Sequence, residues 1–162
     1  MHFKKYKHKY FAVCLCVLFI AVDYITKQLA LCYMPKDKTI NVIPYLFDFR
    51  FLLNDGAAFG ILDDKRWVFM IATIVFLIAG IIYFICLKPN EKLMSYVVML
   101  IISGGIGNMI DRVTTGEVID FITFSFMSFP SFNIADSCVV VGCSLWILYL
   151  LIDIFREKSH HE

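Results

Sequence analysis

Four long apolar runs, at about residues 11–33, 66–87, 93–112 and 135–155, alternate along the chain with two segments of different texture. Each run is close to the ~20 residues that an α-helix needs to cross the hydrocarbon core of a bilayer. The second and third are joined by only Lys88-Pro-Asn-Glu-Lys92, which makes them antiparallel neighbours. Residues 34–66 carry charges of both signs and two prolines, Pro35 and Pro44, and the alternation Phe47-Asp-Phe49-Arg-Phe51 has the period of a half-buried strand. This pattern predicts an extramembrane loop with β character. The loop closes on Asn54-Asp-Gly56-Ala-Ala-Phe-Gly60, whose small residues permit a turn and a close approach of backbone to another group. Residues 113–134 gather Phe121, Phe124, Phe126, Phe129 and Phe132, the composition of an interfacial segment at headgroup depth. The pattern as a whole predicts an all-α integral membrane protein. Its four transmembrane helices, β-containing loop between helices 1 and 2 and Phe-rich segment between helices 3 and 4 form one domain over residues 1–162.

Composition agrees. At 60% hydrophobic and 18% charged residues, with a mean hydropathy of +0.75, the chain is more apolar than soluble domains, which hold about 45–50% apolar residues. The first run is longer than the ~7–15 residues of a signal-peptide core and reads as a span. Lys4, Lys5, Lys7 and Lys9, then Lys88 and Lys92, then Arg156 and Lys158 place eight Lys and Arg on one side of the bundle. The 34–66 loop holds five and residues 113–135 hold none, so the positive-inside bias puts both termini in the cytoplasm. The polar motifs then lie near the extracytoplasmic face. A net charge of +1 gives no sign of a nucleic-acid partner. The six cysteines lie in or beside apolar spans without metal-ligand spacing and read as small packing residues.

The chemistry is concentrated in a few polar positions set among these runs. Asp23 and Lys27 stand at i and i+4 in the first span, either as an internal ion pair that fixes helix rotation or as a wall of a site. On the third helix Gly104, Gly107/Asn108 and Asp111/Arg112 share one stripe. Close helix packing accounts for the glycines, but not for Asn108, Asp111 and Arg112, since ionisable residues inside a membrane are costly. Asp111, next to Arg112, reads as a residue that positions this helix. Asp120 sits beside Phe121 with no basic residue near it in sequence. Asn133 and Asp136 have the spacing of an N-terminal cap on the fourth helix.

Taken in order, Asp23-x-x-x-Lys27, Asn54-x-Gly56-Ala-Ala-Phe, Gly104-Gly-x-Gly-Asn108-x-x-Asp-Arg112, Val118-x-Asp120-Phe and Phe132-Asn133-x-Ala135-Asp136-Ser resemble the lipoprotein signal peptidases (signal peptidase II) of bacteria. The resemblance covers Asp23 to Gly142. It implies an aspartic membrane endopeptidase of the bacterial cytoplasmic membrane. Such an enzyme removes the signal peptide of diacylglyceryl-modified prolipoproteins by hydrolysing the bond on the amino side of the lipidated cysteine. Carried over by motif, Asp120 and Asp136 are the catalytic dyad. Asp23, Lys27, Asn54, Gly56, Asn108, Arg112, Asn133 and Ala135 are the supporting or substrate-binding positions. The resemblance also implies globomycin-type inhibitors, contact with membrane lipid and no obligate protein partner. Two departures stand out: Ile119 where many members have Val, and Asp55 where many have an uncharged residue.

Amide hydrolysis by two carboxylates needs one ionised to take a proton from water and one protonated to polarise the scissile carbonyl, with no metal or organic cofactor. Asp136, in the first turn of a helix, is the better anion. Asp120, in an aromatic stretch, is the better acid. Proton-coupled transport would also use Asp23, Lys27 and Asp136, but four spans leave little room for an alternating-access core. A membrane scaffold subunit would account for the spans and for none of the chemistry.

Overall fold

The computed structural model describes residues 6–36, 38–55 and 66–160. Four helices dominate: α1 (Lys7–Tyr33), α2 (Arg66–Cys86), α3 (Lys92–Thr114) and α4 (Ile134–His160), each containing a stretch long and apolar enough to cross a membrane. Three of the four run past the apolar stretches from which they were predicted. At 1.5 Å per residue, the 27 residues of α1 and of α4 extend about 40 Å, beyond a ~30 Å hydrocarbon core.

Burial runs opposite to that of a soluble protein. Ile71, Val75 and Ile85 on α2 are exposed, as suits surfaces whose solvent is lipid. The helix with the most buried side chains is α3, which packs against each of the other three. Ala12 and Cys16 of α1 meet Val98, Met99 and Ile102 of α3 in one cluster. Leu87, Met94, Val97 and Ile101 form another, flanked by Trp146 and Tyr149 of α4. All six cysteines are free, with Cys16 and Cys138 buried as packing residues. At the terminal end of the bundle Lys9 Nζ donates to the carbonyls of Phe84 (2.8 Å) and Ile85 (3.2 Å), placing a cation on the negative end of α2.

At the other end lies a three-stranded antiparallel sheet, ordered β1 (Thr39–Ile43), β2 (Phe47–Asn54) and β3 (Val118–Phe124). The Phe-Asp-Phe-Arg-Phe alternation does form β2. The third strand comes from the segment predicted to be interfacial, part of which is thus sheet. Gly116, at φ 92°, makes the turn from α3 into β3 with a left-handed backbone that a side chain would oppose. A bulge between Phe49 and Leu52 then shifts the pairing, so that Phe49 faces Ile122 but Leu52 faces Asp120. Because strand residues alternate in direction, Val118, Asp120, Ile122 and Phe124 point into one cavity. Ile119 and Phe121 point the other way, into a cluster with Ala30 of α1 and Phe51 of β2. Past β3 the chain folds back, and Ile122 and Phe132 exchange backbone hydrogen bonds of 2.8 and 2.9 Å. This fixes the residue just before Asn133.

Candidate active site

A cavity of about 870 Å³ lies between the sheet, the C-terminal end of α3 and the start of α4. Its walls are largely apolar, with Phe47, Ile122, Phe124, Phe132 and Val139 among them, and the amide and charged side chains of Asn54, Asn108, Arg112, Asp120 and Asp136 line it together with Ser131 and Ser137. A large apolar pocket with few convergent polar groups is the form of a binding site for an apolar ligand that must be oriented.

The two aspartates reach the cavity by different routes. Asp120 is carried on β3 and is 1% exposed. Its Oδ2 accepts from Asn54 Nδ2 and its Oδ1 from Asn133 Nδ2, both at 2.8 Å. Burial above all, and then the negative charge of Asp136, push its carboxyl up to about 7 against the pull of those two amides. Asp136 is in the first turn of α4 and half-buried. Its Oδ2 accepts the Asn133 backbone N–H at 3.1 Å while its own N–H donates to Asn133 Oδ1 at 2.9 Å, so the cap read from the sequence is reciprocal. Asn108 Nδ2 donates to Asp136 Oδ1 at 2.6 Å. Asn133, with no exposed surface, thus holds both aspartates, one through its side chain and one through its backbone.

Asp23 and Lys27 are set behind the wall. Lys27 is 0% exposed and its Nζ lies 2.8 Å from Asp23 Oδ2, Asp111 Oδ2 and Asn108 Oδ1. The contact with Asn108 is a hydrogen bond and those with the two carboxylates are buried ion pairs. Of the two readings open in the sequence, the ion pair is the one formed. The other oxygen of Asp23 accepts the Ala135 N–H at 2.8 Å, which anchors the start of α4 to α1. Arg112 is half-buried at the cavity edge, where its Nη1 donates to the Asn108 carbonyl at 3.3 Å and its guanidinium carbon lies 5.9 Å from the centre of the Phe69 ring. Gly56 lies outside the described residues, as does the rest of its small-residue turn.

Sequence reasoning left Asp111 as a helix-positioning residue; the structure gives it two further contacts. Its Oδ2 pairs with Lys27 and also accepts the Ile119 N–H at 3.3 Å, next to Asp120. Its spacing of three from Asn108 was the available signal, since that puts both on the face turned to α1.

The sequence model of the family described as Signal peptidase (SPase) II matches residues 15–152. The chain belongs to this family. It is 38% identical over 145 residues to the lipoprotein signal peptidase of Symbiobacterium thermophilum, covering 87% of this chain and 94% of that one. To the Staphylococcus aureus (strain MRSA252) lipoprotein signal peptidase it is 38% identical over 156 residues, covering 93% and 96%. Two bacterial membrane enzyme structures obtained by the in meso method, at 2.3 and 1.9 Å resolution, superpose with TM-scores of 0.83 and 0.80, each at 38% identity. They cover 88% and 86% of this chain and 88% and 92% of their own. The enzyme is accordingly an aspartic-type membrane hydrolase that acts on lipoprotein precursors in their maturation.

Proposed function

We propose that Asp120 and Asp136 are the catalytic pair, and that the bond they hydrolyse lies on the amino side of a diacylglyceryl-modified cysteine. The observation that carries this reading is the placement of both carboxylates, tied together through Asn133, on an apolar cavity at one end of a membrane bundle. Asp136, held as an anion by the Asn108 amide and the helix N-terminus, takes a proton from water. The water oxygen attacks the scissile carbonyl carbon while Asp120 gives its proton to the carbonyl oxygen. As the tetrahedral intermediate collapses, Asp136 passes its proton to the departing amine and Asp120 takes a proton back from the gem-diol hydroxyl that becomes the new carbonyl, which returns the pair to its starting state. Asn54, Asn108, Arg112 and Asn133 orient this pair and the substrate backbone. Gly56, Ala135, Asp23 and Lys27 support them, and the apolar walls receive acyl chains or a globomycin-type inhibitor.

The whole chain acts as one membrane domain without an obligate protein partner. The sheet and cavity lie at the end of the bundle opposite both termini. With the lysines and arginines at the terminal end, this supports cytoplasmic termini in the bacterial inner membrane and an active site near the extracytoplasmic face. A reporter active only in the cytoplasm should light up when fused after Glu162 and stay dark when inserted at Tyr45. The reverse pattern would overturn the orientation.

A raised carboxyl at Asp120 has two pH consequences. Turnover should fall as pH rises through about 7, when the acid loses its proton. Between the ordinary 3.8 and about 7 the folded protein holds a proton that the unfolded chain has released, so this group's stabilisation is present below 3.8 and is lost as pH rises to about 7. Thermal melts in detergent should therefore show a decline across that window that is absent from Asp120→Asn. Equal slopes in both proteins would contradict the assignment.

The cleavage itself is tested with a purified prolipoprotein in lipidated and unlipidated forms. Mass spectrometry should place the cut before the modified cysteine and find the unlipidated form intact. Cutting elsewhere, or of both forms alike, would overturn the reading.

A further inference from the structure

We propose that Lys27, which is fully buried and does not line the cavity, is a positioning residue that fixes the orientation of the Asn108 amide and so decides which aspartate carries the negative charge. The inference rests on the catalytic pair proposed above. A side-chain amide has a donor end and an acceptor end, and a rotation of half a turn exchanges them. An ammonium has donors only, so Asn108 must offer its oxygen to Lys27, and it does so at 2.8 Å. Asn133 Nδ2 adds a second donor to the same oxygen at 3.1 Å. The amide nitrogen is left facing Asp136 Oδ1 at 2.6 Å. A donor there favours the ionised carboxylate of Asp136 and opposes a proton on that oxygen.

Without the ammonium only the longer bond from Asn133 holds the Asn108 oxygen in place, and Asn133 Nδ2 also has Asp120 Oδ1 as an acceptor at 2.8 Å, so the amide can turn its oxygen to Asp136. A protonated Asp136 then donates to Asn108, and the proton of the pair moves from β3 to α4. The charged and titratable groups around this relay are Asp23 on α1, Asp111 and Arg112 on α3, Asp136 on α4 and Asp120 on β3. Through space Lys27 attracts negative charge on both aspartates, which does not choose between them. The hydrogen-bonded amide does.

The test reads the location of the proton by infrared difference spectroscopy on the full-length protein in detergent. In the parent protein near neutral pH one protonated-carboxyl band should be present, and Asp120→Asn should remove it. In Asp120→Asn combined with Lys27→Met and Asp111→Asn, a pair that removes one charge of each sign, a band should return and vanish again on adding Asp136→Asn. Lys27→Arg, which keeps donors toward Asn108, should leave the Asp120→Asn protein without a band. With Asp120 intact, the Lys27→Met/Asp111→Asn enzyme should lose about 10²-fold or more in kcat at unchanged KM. A role confined to holding the helices together would lower the folded fraction and bring back no Asp136 band. No returning band, or one removed by Asp23→Asn instead, would overturn the proposal. Should the Lys27→Met protein not fold, Asn108→Leu in the Asp120→Asn background reads the same relay one step on, and absence of an Asp136 band there also overturns it. Retention of full activity by Asp120→Asn would instead sink the catalytic pair, a separate failure.

Discussion

Asp120→Asn and Asp136→Asn should each abolish cleavage of a lipidated prolipoprotein while leaving the protein folded. Asn preserves shape and several hydrogen bonds, but it neither takes a proton from water nor delivers one to a carbonyl. Positioned proton transfer contributes about 10²–10⁴-fold, and each residue must act in both halves of the reaction, so loss by the upper end of that range is expected from either single change. Folding should survive because neither aspartate is in an ion pair among the described residues, and the amide oxygen of an asparagine keeps one of the two hydrogen bonds that each carboxylate accepts. Asp111→Asn should behave differently. Asp111 pairs with Lys27 behind the cavity wall, and breaking a buried pair by removing one partner destabilises by roughly 3–5 kcal/mol. Its signature is a fall in thermal stability with partial activity in the protein that remains folded. Well-folded but inactive Asp111→Asn, beside active Asp120→Asn, would mean that the chemistry lies with the other carboxylate.

The second large effect is expected at Gly104. A Cβ there would overlap the carbonyl oxygen of Ala135 and come within 2.7 Å of Val139 Cγ2. The first of these is backbone and cannot swing away, and Ala135 directly precedes Asp136. Gly104→Ala must therefore push the start of α4 off α3 and displace the Asn133–Asp136 cap with it. Overpacking of this kind costs about 1–3 kcal/mol, or roughly 2–12 °C in a chain of this size, and activity should fall further than the folded fraction does. Gly80→Ala is the matched control, since its Cβ would meet only Ile102 side-chain atoms at 3.4–3.5 Å. Its melting temperature should stay within a degree or two of the parent's, as expected for a change worth about ±0.5 kcal/mol. Equal melting temperatures for the two variants would show that α3 and α4 do not depend on contact through Gly104.

The features legible in the sequence are those set by local physics. Run length gave the four spans, the Phe47–Phe51 alternation gave β2, and the three-residue spacing of Asn133 and Asp136 gave a cap that the structure makes reciprocally. The third strand was hidden because Val118, Ile119, Asp120 and Phe121 are buried on both faces, which erases the period of two. The bonds that assemble the site were hidden because they join distant residues: Lys27 to Asp111 and Asn108, Asn54 to Asp120, and Asp23 to the Ala135 N–H. Motif order could indicate that these residues belong together. It could not show that Lys27 meets two carboxylates and the Asn108 amide at once, or that one asparagine holds both aspartates.

The most direct test of the central claim is a reaction containing only the purified chain, detergent and a lipidated prolipoprotein, followed by intact-mass measurement. The account predicts conversion to the signal peptide and the mature lipoprotein with no ion gradient and no second protein, and none by the Asp120→Asn/Asp136→Asn double variant. Conversion by the double variant at the parent's rate, or an absolute need for a gradient or a partner, would contradict it.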